Sequence, residues 1–245
     1  MFNFDNRVLY IILIIFIVFS ITKNITDQNF LLNLILTLPA MLIAITFHEY
    51  AHAYAAVKLG DETPRNQGRL TLNPFAHLDP IGAVLLVFAG FGWGKPVEVN
   101  PRNYTADMSE SKANAIVSFA GPAMNFILAI LFEILAYAIL IISPSFSDNT
   151  VGSVIIELIQ ITVTINIGLG VFNLIPLPPL DGSKILNHFL SYNARDWFAE
   201  YEYYFYIGFL LLWITGLAGI IISPIINGIY TGLNYVIGSI FQFFM

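Results

Sequence analysis

Long apolar runs dominate this chain, and they constrain its fold more than any other feature of the sequence. A helix needs about 20 mainly apolar residues to cross the hydrocarbon core of a bilayer, which is about 30 Å thick. Five segments approach or exceed that length: residues 8–22, 31–57, 113–142, 152–175 and 203–222. Charged residues make up 11% of the chain, less than half of the roughly 25% typical of soluble domains. The sequence therefore predicts an all-α polytopic membrane protein with about five transmembrane helices.

The two ends of the chain are harder to assign than its centre. Residues 8–22 are short enough for a signal peptide, but no clear cleavage site of small residues follows them, which favours a membrane anchor. Residues 224–245 are mostly apolar but carry polar side chains at nearly helical spacing, namely Asn227, Thr231, Asn234 and Gln242. This polar stripe favours a C-terminal amphipathic helix on the membrane surface over a further span.

Basic residues indicate the orientation, because Lys and Arg stay preferentially in cytoplasmic loops. With the N-terminus in the cytoplasm, nine of the ten Lys and Arg residues lie on that side, and Lys23 alone lies outside. We therefore expect a multi-pass protein of the cell membrane with a cytoplasmic N-terminus. This orientation puts Glu133 and Glu157 roughly two or three turns from the outer helix ends, where we expect both to be interfacial rather than part of an ion pathway.

The composition excludes several function classes. The net charge is −6 and the sequence has no basic cluster, so we expect no nucleic-acid partner. The absence of cysteine excludes a disulfide framework, a thiolate metal site and a cysteine nucleophile. A metal ion would have to be held by carboxylates and by the histidines of the chain, which are His48, His52, His77 and His188.

A metal-binding pattern stands inside the second apolar run, where His48, Glu49 and His52 form an H-E-x-x-H sequence. Histidines four residues apart project from one face of a helix, and the glutamate beside the first can reach a water molecule on a shared metal. Such a pattern also arises by chance. However, these ionisable groups lie about ten residues from Lys58, roughly 15 Å along the helix, and burying them without a task would cost several kcal/mol. The segment therefore predicts a metal site.

A third protein ligand is expected, because catalytic zinc usually has three such ligands and one open position. Asp181 is the best candidate, since it follows the fourth apolar run after three prolines that end the helix. Irregular backbone at membrane depth is tolerated where it lines protein or a watery cavity, so Asp181 can turn back toward the histidines. Spacing alone leaves an equal alternative, in which Asp181 caps a short helix over 182–190. His77 and His188 fall in apparent loop segments and are weaker candidates.

The two motifs together resemble those of the site-2 protease family of intramembrane metalloproteases. In that family an H-E-x-x-H helix is joined by the aspartate of an N-x-x-P-x-P-x-x-D-G segment, and residues 173–182 match this second pattern completely. Further segments look like family segments in the same order, at 73–82, 92–101 and 120–125. The resemblance extends from about residue 31 to about residue 222, without the PDZ or CBS domain of better-known members.

The resemblance implies a role for each candidate residue. His48, His52 and Asp181 would hold one Zn²⁺, although nitrogen and carboxylate ligands also suit Co²⁺ or Mn²⁺. Glu49 would act as the general base. Asn125 would help to stabilise an oxyanion or contact the substrate, while an interhelical hydrogen bond is an equal alternative for this residue.

Residues 81–101 form the segment between the second and third runs. The segment is apolar up to Gly94 and then alternates loosely, which suggests a membrane-dipping stretch followed by a strand. The family resemblance implies a re-entrant or membrane-associated β-hairpin here. An exposed strand edge could pair with an extended substrate, and the residues that we expect to do so are Gly94, Lys95, Pro96 and Val97. The alternative is a structural turn without substrate contact.

The resemblance also implies a function, the zinc-dependent hydrolysis of peptide bonds within or near transmembrane segments of membrane proteins. We expect one membrane-embedded metalloprotease domain over 1–245, with a catalytic core at about 31–190 and flanking helices at 8–22 and 203–245. Its partners would be the bilayer and a substrate with a transmembrane helix, and its active site would lie in the membrane toward the cytoplasmic side. The sequence does not predict an oligomeric state.

Two alternatives to this function stay open. One is a non-proteolytic metal transporter or binding scaffold, against which the lack of internal repeats argues. The other is a metallopeptidase that cuts soluble substrates. Cleavage of soluble and membrane-embedded peptides would distinguish this last alternative from an intramembrane protease.

Overall fold

The computed structural model describes residues 30–80, 82, 94–105 and 107–243 of the chain. Over these residues the protein is mostly helical and contains no β-strand. Its α-helices, in chain order, are α1 (Phe30–Lys58), α2 (Thr63–Asn66), α3 (Glu110–Ile142), α4 (Thr150–Asn173), α5 (Asp181–Phe189), α6 (Tyr192–Ile214) and α7 (Leu217–Gln242). Short 3₁₀ turns lie at Pro74–Ala76, Pro101–Asn103 and Pro144–Asp148.

Four of the described helices are long and apolar enough to cross a membrane, and these are α1 from Leu34 onward, α3, α4 and α7. They confirm that the protein is a helical membrane protein. The predicted helices at 31–57, 113–142 and 152–175 correspond to α1, α3 and α4. The predicted first span, 8–22, lies outside the described residues, and the total of five spans is not confirmed.

Polar side chains set the points at which α3 and α4 begin. The first N–H groups of a helix have no partner within the helix, so an oxygen just before it is stabilising. The Ser109 hydroxyl accepts from the Lys112 N–H at the start of α3. The Asn149 side chain accepts from the Gly152 N–H at the start of α4. Both helices therefore begin where the sequence changes from polar to apolar.

The C-terminal region differs from the predicted span at 203–222 followed by a surface helix at 224–245. The helical conformation is interrupted at Gly216, whose φ of +75° lies in the left-handed region that glycine adopts without strain. This break separates α6 from α7. The Asn234 amide, which suggested a water-facing stripe, donates instead to the Glu133 carboxylate of α3 at 2.9 Å. The surface helix is therefore not confirmed, because α7 packs on α3 and α4 and is apolar enough to span a membrane.

Helices α1, α3 and α4 pack closely on one another and form the centre of the described structure. The buried face of α1 is built largely from small side chains, which are Ala40, Ala44, Ala51, Ala53 and Ala56. Small residues let membrane helices approach closely. Beside this centre, Ala129, Val163 and Ile167 form an apolar cluster against which α7 packs. The packing turns the histidine-bearing face of α1 toward α3 and α4.

The predicted β-hairpin falls largely on residues outside the description, since 81 and 83–93 are not covered. Where the chain is described again, Gly94 forms an isolated antiparallel bridge with Leu78. The Lys95 N–H donates to the His77 carbonyl at 2.7 Å. The described part, 94–105, has no strand, so the hairpin is not confirmed.

Candidate metal centre

Helix α1 brings two histidines to one buried point. His48 and His52 are separated by one helical turn and point toward α3, and they are 5% and 7% exposed. Their Nε2 atoms lie 3.0 Å apart. The helix thus presents a pair of adjacent imidazole nitrogens inside the protein, as the H-E-x-x-H spacing predicts.

Asp181 reaches the same point from the other side. It is the first residue of α5, and the helix begins without a side-chain cap. Its Oδ2 atom lies 3.2 Å from His48 Nε2 and 3.0 Å from His52 Nε2. Of the two alternatives that spacing left open, the structure therefore favours the approach to the histidines over the helix cap. Among the described residues, His48, His52 and Asp181 are the group whose ligand atoms all lie within 4.8 Å of one another.

A glycine beside Asp181 allows this approach. A Cβ on Gly182 would lie 2.4 Å from the carbonyl oxygens of both Leu174 and Ile175, in the irregular segment that follows α4. Any larger residue would push α5 away from that segment. The D-G pair is thus explained by packing as well as by ligand chemistry, because the glycine lets the aspartate stand close to the end of α4.

The contacts of the two Nδ1 atoms, which face away from Asp181, determine the tautomers of His48 and His52. His52 Nδ1 lies 2.7 Å from the Val117 carbonyl, which can only accept, so Nδ1 carries the hydrogen. His48 Nδ1 lies 2.7 Å from Asn125 Oδ1 and donates in the same way. In the neutral rings both Nε2 atoms therefore keep their lone pairs. The site thus offers two imidazole nitrogens and one carboxylate oxygen, a donor set that fits zinc. The hydrogen bonds of the two Nδ1 atoms orient the rings.

Glu49 lies at the edge of this donor set. Its Oε2 atom accepts a hydrogen bond from the Val97 N–H at 2.9 Å, so the segment after Gly94 passes over the site. Glu49 and the three candidate ligands line one cavity of about 370 Å³. Much of the remaining lining is apolar, with Met41, Ile45, Val99, Leu169, Phe172 and Leu180. The cavity can hold a chain segment with apolar side chains next to a carboxylate and a metal.

The contacts of Asn125 differ from those of a free oxyanion donor. Asn125 is completely buried. Its Oδ1 accepts from His48, and its Nδ2 donates to the Ala44 carbonyl at 3.1 Å and to Asn166 Oδ1 at 2.9 Å. Both N–H groups are therefore used within the helix bundle. These contacts favour the interhelical alternative, in which Asn125 orients His48.

The predicted substrate-pairing residues lie next to the site. Gly94, Pro96 and Val97 line the cavity. The N–H groups of Lys95 and Val97 donate to the His77 carbonyl and to Glu49. The pairing with a substrate strand stays a prediction, and it would require the Val97 N–H to exchange its partner.

The other two histidines stand apart from the centre. The buried His77 ring interacts through Nε2 with the Thr71 carbonyl at 2.8 Å. His188 Nδ1 lies 3.3 Å from the Ser111 hydroxyl. Neither residue belongs to the cluster of candidate ligands, in agreement with the preference for Asp181.

Gly121 on α3 is a site residue whose role the sequence did not reveal. A Cβ at this position would lie 2.4 Å from His52 Nε2 and 2.7 Å from His48 Cε1. The histidines fit against α3 only because this side chain is absent. The G-P-x-x-N segment contains the signal, but its meaning depends on which helix packs against it.

Comparison with known proteins finds relatives over most of the chain. The family model described as Peptidase family M50 matches residues 135–215. "Putative zinc metalloprotease YwhC" of Bacillus subtilis is 37% identical over 205 residues, which cover 82% of this chain and 90% of that protein. Two proteins named "Putative zinc metalloprotease Rip2", from Mycolicibacterium smegmatis and Mycobacterium tuberculosis, are 30% and 28% identical over 207 residues, covering 82% of this chain and 72% of each. No solved structure gives a significant match.

Proposed function

Because this chain belongs to peptidase family M50 and is a zinc-dependent metalloendopeptidase of the membrane, we propose that it cleaves membrane proteins within or near their transmembrane segments. The observation that carries the proposal is the convergence of His48, His52 and Asp181 between helices that are long enough to span a bilayer. A site on such helices is reached most directly by a substrate that is itself in the membrane.

We assign the zinc to His48, His52 and Asp181. When bound there, zinc would polarise a peptide carbonyl and lower the pKa of a water molecule toward about 7. Asn125 and the Val117 carbonyl hold the two imidazole rings so that their Nε2 lone pairs face the aspartate. The rings are thus oriented before a substrate enters.

Glu49 is the proposed general base. Its carboxylate lies in the same cavity as the ligands and accepts a proton from the attacking water. It then passes a proton to the leaving amine. The Val97 N–H restrains one carboxylate oxygen, so the other is available to the water.

Access to this site imposes conditions on the substrate. The carbonyls of a transmembrane helix are hydrogen-bonded within the helix, so part of the substrate must unwind before hydrolysis. The irregular segment between α4 and α5, with prolines at 176, 178 and 179, borders the cavity and suits a path for water. Helix α1 ends at Lys58, about ten residues beyond the site, and the excess of Lys and Arg in the same loops supports a cytoplasmic side.

Several wider features belong to the same proposal. The protein is proposed to be one domain over 1–245 in the cell membrane, with a cytoplasmic N-terminus and an active site toward that side. Its proposed partners are the lipid bilayer and a membrane protein with a transmembrane helix. We propose no nucleic-acid partner.

The substitution Glu49→Gln tests the proposal. It keeps the size of the side chain but removes the base, so we expect cleavage of single-span substrates in proteoliposomes to fall by about 10²–10⁴-fold. Zinc content should be unchanged. Glu62→Gln is the matched control, because Glu62 is an exposed acid that pairs with Arg65 away from the cavity.

Two results would contradict the proposal. Cleavage that survives in the Glu49→Gln variant would exclude the assigned base. Equal cleavage of one scissile sequence in soluble and in membrane-embedded form would exclude a preference for transmembrane substrates and favour a peptidase for soluble peptides.

A further inference from the structure

A chain of buried amides connects the candidate metal centre to helix α4. His48 Nδ1 donates to Asn125 Oδ1 at 2.7 Å, and Asn125 Nδ2 donates to Asn166 Oδ1 at 2.9 Å. Asn166 Nδ2 donates in turn to the Thr162 carbonyl at 2.8 Å. Both asparagines are completely buried. The chain thus crosses from α1 through α3 to α4.

The direction of this chain is fixed at its far end. A backbone carbonyl can only accept, so the Thr162 oxygen requires the amide nitrogen of Asn166 on its side. The Asn166 oxygen must then face Asn125. The Ala44 carbonyl imposes the same requirement on Asn125, because it accepts from the second N–H of that amide at 3.1 Å. Together they turn the Asn125 oxygen toward His48.

The orientation of Asn125 decides which nitrogen of His48 carries hydrogen. Facing an oxygen, Nδ1 must be the donor, and Nε2 keeps its lone pair toward Asp181 and His52. A rotated Asn125 amide would face Nδ1 with an N–H and favour hydrogen on Nε2. That tautomer cannot use Nε2 as a metal ligand.

We propose that Asn166 is a positioning residue for the metal centre, which acts through Asn125 to hold His48 in the tautomer that binds zinc. The inference rests on the proposed zinc ligands, but it concerns a residue that contacts neither the metal nor the substrate. Without Asn166, the Ala44 carbonyl alone opposes rotation of the Asn125 amide. His48 then divides between two tautomers, and zinc binds more weakly.

The test compares three variants purified in detergent. Asn166→Leu removes both hydrogen bonds and preserves much of the side-chain volume. Asn166→Asp keeps a side-chain oxygen facing Asn125. Thr162→Val is the packing control, because it changes a buried neighbour on α4 whose hydroxyl donates to Leu158 and leaves the Thr162 carbonyl in place.

Two readouts are measured. ¹⁵N spectra of histidine-labelled, zinc-free protein, recorded at a pH where both imidazoles are neutral, distinguish a ring nitrogen with hydrogen from one with a lone pair, and His48→Ala identifies the His48 signals. Titration with zinc alone gives the Kd. We expect Asn166→Leu to give mixed His48 tautomers and to raise the zinc Kd by about 10-fold. This is the lower end of the range for changes to residues that orient metal ligands. Asn166→Asp and Thr162→Val should keep the Nδ1–H tautomer and nearly the wild-type Kd.

The proposal is overturned if Asn166→Leu leaves both the His48 tautomer and the zinc Kd unchanged. It is also overturned if Thr162→Val has the same effect as Asn166→Leu, since packing would then explain the loss. Wild-type protein that binds no zinc would count against the proposed function instead. The ¹⁵N spectra would still show whether Asn166 controls the tautomer.

Discussion

The described part of the chain contains two buried polar clusters among its long apolar helices, and the clusters differ in how their hydrogen-bonding atoms are paired. In the metal centre, formed by His48, His52 and Asp181, three acceptor atoms converge. In the second cluster, around Glu133, each acceptor faces a donor. The first arrangement requires a cation or additional protons. In the second, protein donors satisfy the hydrogen-bond acceptors.

The second cluster comprises Glu133, Tyr137, Gln160, Tyr230 and Asn234. The two Glu133 oxygens accept from Asn234 at 2.9 Å and from Gln160 at 3.2 Å. The amide oxygen of Gln160 accepts from the Tyr230 hydroxyl, and that of Asn234 accepts from the Tyr137 hydroxyl. The cluster joins α7 to α3 and α4. Glu133 is fully buried between these helices, and its interfacial depth in the membrane stays a prediction.

The two clusters show how a ligand site differs from a structural polar cluster inside a membrane protein. Both clusters contain a buried carboxylate, and burial alone does not separate them. The difference is the direction of the hydrogen bonds, because matched donors and acceptors stabilise helix packing while facing lone pairs bind a cation. Substitutions should therefore affect zinc binding at one cluster and stability at the other.

Closing the space beside the histidines should weaken zinc binding strongly. Gly121→Ala would put a Cβ 2.4 Å from His52 Nε2. Alanine favours a helix over glycine, so the loss should be in zinc binding rather than in folding. We expect the zinc Kd to weaken by about 100-fold, the upper end for disturbed ligand orientation.

Gly168→Ala is the control for this substitution, since its Cβ would meet Ile226 Cδ1 at an ordinary 3.5 Å. Zinc titration of both variants checks the prediction. Equal affinities in Gly121→Ala and Gly168→Ala would show that the histidines do not depend on the space beside α3.

At the second cluster we expect a smaller effect, and we expect it on stability rather than on zinc binding. Glu133→Leu leaves the Asn234 and Gln160 amides without their acceptor, so the free energy of unfolding should fall by about 1–3 kcal/mol. Zinc affinity should not change. Glu133→Gln retains one acceptor oxygen and should lose less stability. Denaturant unfolding in detergent measures these differences, and a loss of zinc in Glu133→Leu would refute the separation of the clusters.

A third buried carboxylate, that of Asp61, lies outside the membrane helices. Burial raises the pKa of Asp61, but hydrogen bonds from Thr63, Asn100 and Asn103 outweigh it and hold the pKa below its ordinary value. A carboxyl group with a depressed pKa in the folded state stabilises the protein above about pH 4. That stabilisation is lost as the pH falls through the depressed pKa.

Asp61→Asn should therefore lower the free energy of unfolding by about 1 kcal/mol at pH 7, with little effect on zinc. The difference from wild type should shrink below about pH 4. Thermal unfolding at pH 7 and pH 3 checks this. A constant difference at both pH values would mean that the charge of Asp61 makes no contribution.

Sequence patterns predicted the parts of the site that depend on local spacing. The H-E-x-x-H motif placed two histidines on one face of a helix, and the prolines before Asp181 indicated a chain that turns back. The roles of Gly121 and Asn166 could not be predicted, because they arise from the packing of α3 against α1 and α4. The contact of Asn125 with His48 was open for the same reason.

The fold shows a similar division. Apolar length predicted α1, α3 and α4, whereas the C-terminal region differs from the prediction at two points. The turn at Gly216 depends on one left-handed residue in an otherwise apolar run. Asn234 of α7 was interpreted as part of a water-facing stripe, since the sequence does not reveal that this residue meets a buried glutamate.

Elemental analysis of purified protein determines whether His48, His52 and Asp181 hold a zinc ion. We expect about one zinc per chain in the wild type and in Glu133→Leu, and strongly reduced zinc in His48→Ala and Asp181→Ala. Full zinc content in Asp181→Ala, or a wild type that binds no zinc, would contradict the claim that the converging acceptors form a metal centre.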